Sequence, residues 1–373
     1  MKILVFLLAI LLAVFMLNAE ALAVSYTYIP EQSKNGDELS NIDGILGDEL
    51  SELHGVSDRL ANGEVADSKF ILNKVLSALK DELSGPLKLF LVLLSLTVLS
   101  GIFSSMSESV KNEGVSTAYC FCSALCFGAS VLLPVEKLIS RGGVFLEWIN
   151  NFLIALIPVF ASVQTAGGSV ASASFTASGV FLLTAVMEQI FERVLLPLAS
   201  VIFALSLTSG LTKHDLSGVQ KALKDAFTTL IAFVMMINSA IYSFGNYIAA
   251  AKDGLGMRAV RFAAGSFIPV VGSAVGEAVR TVAGSLSLIR SGVGWVCCAS
   301  LITMLAPPLI SALLYRTAIE LAAALARIVS LGGEAKLLDG AANVCNLVCA
   351  VIAASSVLFL LAVTLFVKTA VGI

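Results

Sequence analysis

Charge is scarce in this chain of 373 residues: 13% of positions are Asp, Glu, Lys or Arg, against roughly 25% in a typical soluble domain. Histidine and tryptophan occur twice each, and no run of basic residues is present. With pI ≈ 5.5 and a formal net charge of −3, the chain lacks the electrostatic footprint of a nucleic-acid binder. What it has instead is apolar surface, 58% hydrophobic residues and a mean hydropathy of +0.94. Too few polar residues remain to coat a water-soluble core of that size. A disordered chain would need the opposite composition. Continuous rather than alternating apolar stretches argue against a transmembrane β-barrel. The bilayer is therefore the main solvent, and the fold class is all-α: a polytopic helical membrane protein.

Enzyme signatures are also missing. There is no GxxxxGK[ST] for nucleotide phosphates, no HExxH, no GxSxG and no pair of intramembrane aspartates. All seven cysteines (Cys120, Cys122, Cys126, Cys297, Cys298, Cys345, Cys349) lie in apolar stretches. The two histidines, His54 and His214, lie far from them in polar stretches, so no metal cluster is expected. The cysteines read as small apolar packing residues. No cofactor and no catalytic residue is expected.

The charge that exists is unevenly placed. Residues 24–86 hold twelve acids against five bases, whereas 87–373 hold seventeen bases against thirteen acids. Such asymmetry reads as two compartments. Ahead of it, Lys2, the apolar run Ile3 to Leu17 and Ala21-Leu22-Ala23 have the layout of a secretory signal peptide over 1–23. Fifteen apolar residues are short for a span, which needs about 20; an uncleaved anchor is the alternative. Residues 24–86 then form a small acidic extracytoplasmic region. Within it, Leu72, Val75, Leu76, Leu79 and Leu83 make one helical stripe that starts near Asp67 or Ser68 and stops at Gly85-Pro86. A weaker stripe contains Ile42, Leu46, Leu50 and Leu53. The region is either a docking element or a spacer.

From residue 87 a multi-span domain runs to 373. Apolar stretches of spanning or near-spanning length cover 87–106, 117–135, 144–166, 172–188, 194–211, 226–250, 293–314 and 344–367. Six to nine crossings follow from hydropathy, while basic residues occur at too many places for strict positive-inside alternation. Residues 212–225 read as a short interfacial helix. Glu188, Glu192 and Arg193 read as helix-end charges, with an ion pathway as the alternative. Arg316 and Glu320, at i and i+4 among leucines, are candidates for a buried ion pair. Asn150, Asn151 and Asn238 should hydrogen-bond between helices.

The stretch 262–289 is unlike the rest. Gly265, Gly272, Gly276, Ala283 and Ser287 fall along one helical face, and Gly272 with Gly276 makes a GxxxG pair. Pro269 would kink or break that helix. Glu277 and Arg280 are placed to pair, since a charge at bilayer depth costs on the order of 3 kcal/mol and seeks protein or water. Gly265, Pro269, Gly272, Gly276, Glu277 and Arg280 are thus candidates for a packing face or a pore lining; both readings stay open.

The run Lys252-Asp253-Gly254, Met257-Arg258-Ala259-Val260-Arg261-Phe262-Ala263-Ala264-Gly265 and Phe267-Ile268-Pro269-Val270-Val271-Gly272, followed by Gly276-Glu277-Ala278-Val279, resembles the signature of the stage III sporulation protein AE family. The motif covers 252–292, and the layout of the whole chain is similar. Where the family often has Cys and Lys, this chain has Ser285 and Arg290, a conservative departure. The resemblance implies a multi-pass protein of the mother-cell membrane around the forespore, its N-terminal region extracytoplasmic. It implies a non-enzymatic, permease-like or export-gate-like part of a channel or secretion-like complex supporting late forespore development. Implied partners are other products of the same operon, namely a secretion-type ATPase and ring-forming proteins, and a forespore membrane protein. The lipid bilayer is the remaining partner, room is left for homo-oligomers, and no nucleic acid is involved. A stand-alone secondary transporter for a small solute or ion is the alternative; no internal repeat supports paired halves.

Overall fold

The computed structural model describes residues 68–110, 113–166, 181–211, 216–241 and 272–368, besides 174, 178 and 179, with 272–299 as helical backbone. Apart from short turns, all of these are helical, and no strand occurs among the described residues. In chain order the helices are α1 (Ser68–Val110), α2 (Glu113–Ala166), α3 (Phe181–Ile190), α4 (Leu196–Leu211), α5 (Ser217–Ile241), α6 (Gly272–Ile328) and α7 (Gly332–Lys368). A five-residue π-helical turn, Phe191–Leu195, joins α3 directly to α4. Six of the described helical stretches are long and apolar enough to cross a membrane. Among the described residues the helices are fewer than the apolar stretches in the sequence, and one reason is continuity. The apolar stretches 117–135 and 144–166 belong to one helix, α2, which runs through Pro134, Arg141 and Gly142-Gly143. Likewise 293–314 and 315–331 lie end to end on α6, which passes Pro307-Pro308.

The bundle is organised around α7. In its most apolar stretch 83% of residues are buried, compared with 22–50% in the other five. It packs against α6, α2 and α4, and Met235 of α5 closes over Ala353 and Val357. Burial on every side explains its composition. In hydrocarbon no hydrophobic force drives helices together, so close packing must do so, and small side chains permit close approach. Gly340, Ala341, Ala342, Ala353, Ala354, Ser355 and Ser356 supply them. Ser355 and Ser356 keep their hydroxyls satisfied locally, donating to the carbonyls of Val351 (3.0 Å) and Ile352 (2.8 Å). Two crossings with α4 are especially tight. A Cβ on Gly340 would collide with Ser206, whose Cα would lie 3.4 Å away, and a Cβ on Gly210 would lie 2.7 Å from that of Leu337.

Three local expectations need correction. Gly85-Pro86 does not end a helix, because α1 continues from Ser68 to Val110. Pro86 is buried, and the missing Cβ of Gly85 leaves room for the Tyr315 hydroxyl of α6, so the dipeptide is a packing notch. Of the expected interfacial helix 212–225, residues 212–215 lie outside the described residues and 217–225 are the opening turns of α5, whose hydrogen-bond ladder continues through the apolar run 226–241. Glu192 and Arg193 stand not at a helix end but inside the π turn, exposed. Its wide register, Leu196 N–H to the Phe191 carbonyl, sits just before Pro197, which has no N–H to continue the α ladder.

The α6–α7 turn is a Schellman motif. Leu331 N–H bonds the Ala326 carbonyl (2.9 Å), Ser330 N–H bonds the Arg327 carbonyl (3.1 Å), and Ser330 has φ 64°. Buried Leu331 meets Ala326 and Ala335, the apolar contact that accompanies this cap. Gly332 and Gly333 already belong to α7.

These geometries predict opposite outcomes for three small substitutions, read as thermal midpoints of the purified protein in detergent. Gly340→Ala should destabilise by about 1–3 kcal/mol through overpacking against Ser206. Gly218→Ala, with no atom within 4 Å of the new methyl, should be neutral or gain up to about 1 kcal/mol of helix propensity. Ser330→Gly should gain about 1 kcal/mol by removing a side chain from a left-handed position.

Candidate functional site at a polar waist

Charged groups inside an apolar bundle are costly unless partnered, so their placement identifies where function can reside. Arg141, at the middle of α2, donates from one Nη to Glu82 Oε2 of α1 (2.7 Å) and to Ser311 Oγ of α6 (3.0 Å). Ser311 is fully buried, Glu82 is mostly buried and Arg141 is half exposed. Tyr315, one turn further along α6, lies over Gly85. One guanidinium thus ties three helices at one height.

The same height holds a second group. Arg316 Nε donates to Glu320 Oε1 at 2.9 Å; Arg316 is 9% exposed, whereas the Glu320 side chain is 44% exposed. Across the bundle, Lys224 of α5 donates to Asn343 Oδ1 of α7 (2.9 Å). Nearer the α6–α7 turn, Arg327 pairs with Asp339. At the far end of the α1–α2 hairpin, Ser100 and Ser123 share a hydrogen bond (3.0 Å), and Tyr119 donates to the Ser100 carbonyl (2.5 Å). Apart from the Arg316–Glu320 pair, which lies within α6, these contacts link one helix to another. Asn238 is buried, but its Nδ2 donates to Val234 of its own helix (2.9 Å). Asn150 lines a cavity of about 20 Å³ with Met187, Phe191 and Ser355, room for about one water.

Of the residues singled out in the sequence, Gly265 and Pro269 lie outside the described residues, as do 1–67 and the rest of 252–271. Gly272, Gly276, Glu277 and Arg280 fall in the first three turns of α6. No distance in the structure joins them to Arg316 and Glu320, which lie further along that helix. Cys345 and Cys349 are fully buried in α7, as small apolar residues should be. Cys120, Cys122 and Cys126 are exposed on α2 instead, on a side of the helix left uncovered by the described residues. No His/Cys/Asp/Glu group able to hold a metal occurs among the described residues. The Glu82–Arg141–Ser311 node was missed by sequence reading, since its members are 59 and 170 positions apart. The only signal was Arg141 interrupting an apolar helix.

Chemically, the node is a fixed cation held by a carboxylate and a hydroxyl. No nucleophile is paired with a base there; its capacity is to set helix register and to hold charge at a defined depth. Replacing Arg141 by Met should lower stability by about 1 kcal/mol, the ordinary worth of a half-exposed pair. Glu82→Gln, which keeps an acceptor, should cost less; thermal midpoints in detergent test this order.

Comparison with known proteins agrees with this architecture. The chain is 25% identical over 357 residues to the stage III sporulation protein AE of Bacillus subtilis (strain 168), covering 94% of this chain and 88% of that protein. No solved structure matches it. The model of the family described as stage III sporulation protein AE matches residues 52–370. Motif, helical membrane architecture and a match across most of its length together place the chain in the stage III sporulation protein AE family.

Proposed function

We propose that this chain is a non-enzymatic integral membrane component of a sporulation-specific channel or secretion-like complex linking mother cell and forespore. The observation that carries the reading is the family match over 52–370 on a chain whose described residues include six membrane-length helices. The absence of catalytic motifs from the sequence supports a structural rather than enzymatic part. In this reading the protein sits in the mother-cell membrane with residues 24–86 outside the cytoplasm. It works with the ATPase and ring-forming proteins of its operon and with a forespore membrane protein. The close-packing residues at the start of α6, Gly272 and Gly276, sit at the channel centre or at a subunit seam.

Complementation tests the proposal. In an endospore-forming host deleted for its own protein of this family, the chain should restore heat-resistant spores and late forespore reporter expression. Gly276→Leu should reach the membrane at normal level, yet lose co-purification with the operon partners and lose sporulation. Full sporulation by Gly276→Leu would remove the seam from the proposal. Solute uptake by the protein alone in liposomes, without operon partners, would favour a transporter and overturn it.

A further inference from the structure

The Arg316–Glu320 pair of α6 is neutral as a whole but incomplete as a set of hydrogen bonds. Arg316 Nε donates to Glu320 Oε1 at 2.9 Å. Among the described residues, nothing hydrogen-bonds the two terminal guanidinium nitrogens or the second carboxylate oxygen. Four N–H donors and one charged acceptor are left over. Arg316 is only 9% exposed, so water reaches those donors poorly, and idle charged donors inside a protein are costly.

The surroundings offer no remedy. Both residues lie inside the apolar span Ser300–Ile328. Glu320 stands about 12 Å before Ile328 at helical rise, and the polar end of the helix pair, with Arg327, Lys336 and Asp339, comes only after it. Glu320 nevertheless faces outward, half exposed. It shares a stripe with Thr317, Leu321, Ala324 and Ile328, all exposed and spaced as one side of a helix. Hydrocarbon suits Leu321 and Ile328 but has no donor for a carboxylate. Thr317 asks nothing of a neighbour, since its hydroxyl donates to the Leu314 carbonyl (2.9 Å). With Ala324 it keeps the face low enough for another helix to approach closely.

A neighbour that fits must supply an acceptor for the guanidinium and a donor for the carboxylate, about one helical turn apart. The pair itself, met from the opposite side, has that pattern. We propose that the face of α6 from Thr317 to Ile328 is a self-association surface, on which two copies of this chain meet about a twofold axis along the membrane normal. Both copies enter the membrane the same way, so the two α6 helices run parallel. The terminal nitrogens of Arg316 in each copy donate to Glu320 Oε2 of the other, residue i meeting j and j meeting i. Two guanidinium groups and two carboxylates close a ring that one chain leaves open. This association needs only membrane insertion and is independent of the sporulation role.

Two measurements on the full chain test it. In the first, Leu321→Cys on this face and Val144→Cys on α2, both exposed positions, are oxidised in native membranes with copper phenanthroline. Leu321→Cys should give disulfide-linked dimer several-fold above the unchanged chain, whose own cysteines set the background, and Val144→Cys should not. In the second, two copies with different affinity tags are co-expressed, extracted in mild detergent, and one is captured through the other. Glu320→Arg in both copies should lower capture several-fold, as should Arg316→Glu in both, because each sets like charges face to face. Glu320→Arg in one copy with Arg316→Glu in the other should restore it, since opposite charges then meet across the seam. No dimer above background at Leu321→Cys, or equal linkage at Val144→Cys, would overturn the proposal. So would undiminished capture with Glu320→Arg in both copies, or capture by the mixed pair no greater than by either reversal alone. Elution as a single species confirms that each variant folds; where Arg316→Glu does not, the disulfide result decides.

Discussion

A helix can be enclosed on all sides inside a membrane protein only if its neighbours come close, and that requirement governs α7. Lipid tails are as apolar as leucine, so burying α7 gains nothing from water exclusion alone. What holds it is dispersion between closely fitted surfaces and a few polar bridges. Glycine at 340 and 210, alanines along the shaft and serines satisfied by their own carbonyls make that approach feasible. The remaining helices take their positions from it: α6 through the tight turn, α4 through the glycine crossings, α5 through Lys224 and Asn343.

The polar waist complements this packing. Dispersion tolerates sliding of one helix along another, whereas a guanidinium shared by Glu82 and Ser311 has one good register. Individually such contacts are worth little, but they specify height. Charge is concentrated where register must be set, which is why long apolar helices of this chain are interrupted rather than broken at their basic residues.

Membership in a sporulation family gives this architecture its biological setting. Its helices continue well beyond one bilayer thickness, from 37 to 57 residues in the four longest.

Much of this protein was legible before any coordinates. Composition alone determined the solvent, because 58% hydrophobic and 13% charged residues cannot coat a water-soluble body. Helix followed from the need to satisfy backbone groups in hydrocarbon, and the 252–292 motif carried the family. Hydropathy could not tell two spans from one long helix, since Lys137 and Arg141 look like a loop until their partners are seen. Gly85-Pro86 looked like a stop, yet a proline is tolerated where a neighbouring helix packs into the notch. Nothing local marks α7 as central, because an alanine facing lipid and an alanine facing protein are the same letter. Only the tertiary structure decided which apolar faces meet each other, since that depends on contacts between residues far apart in the chain.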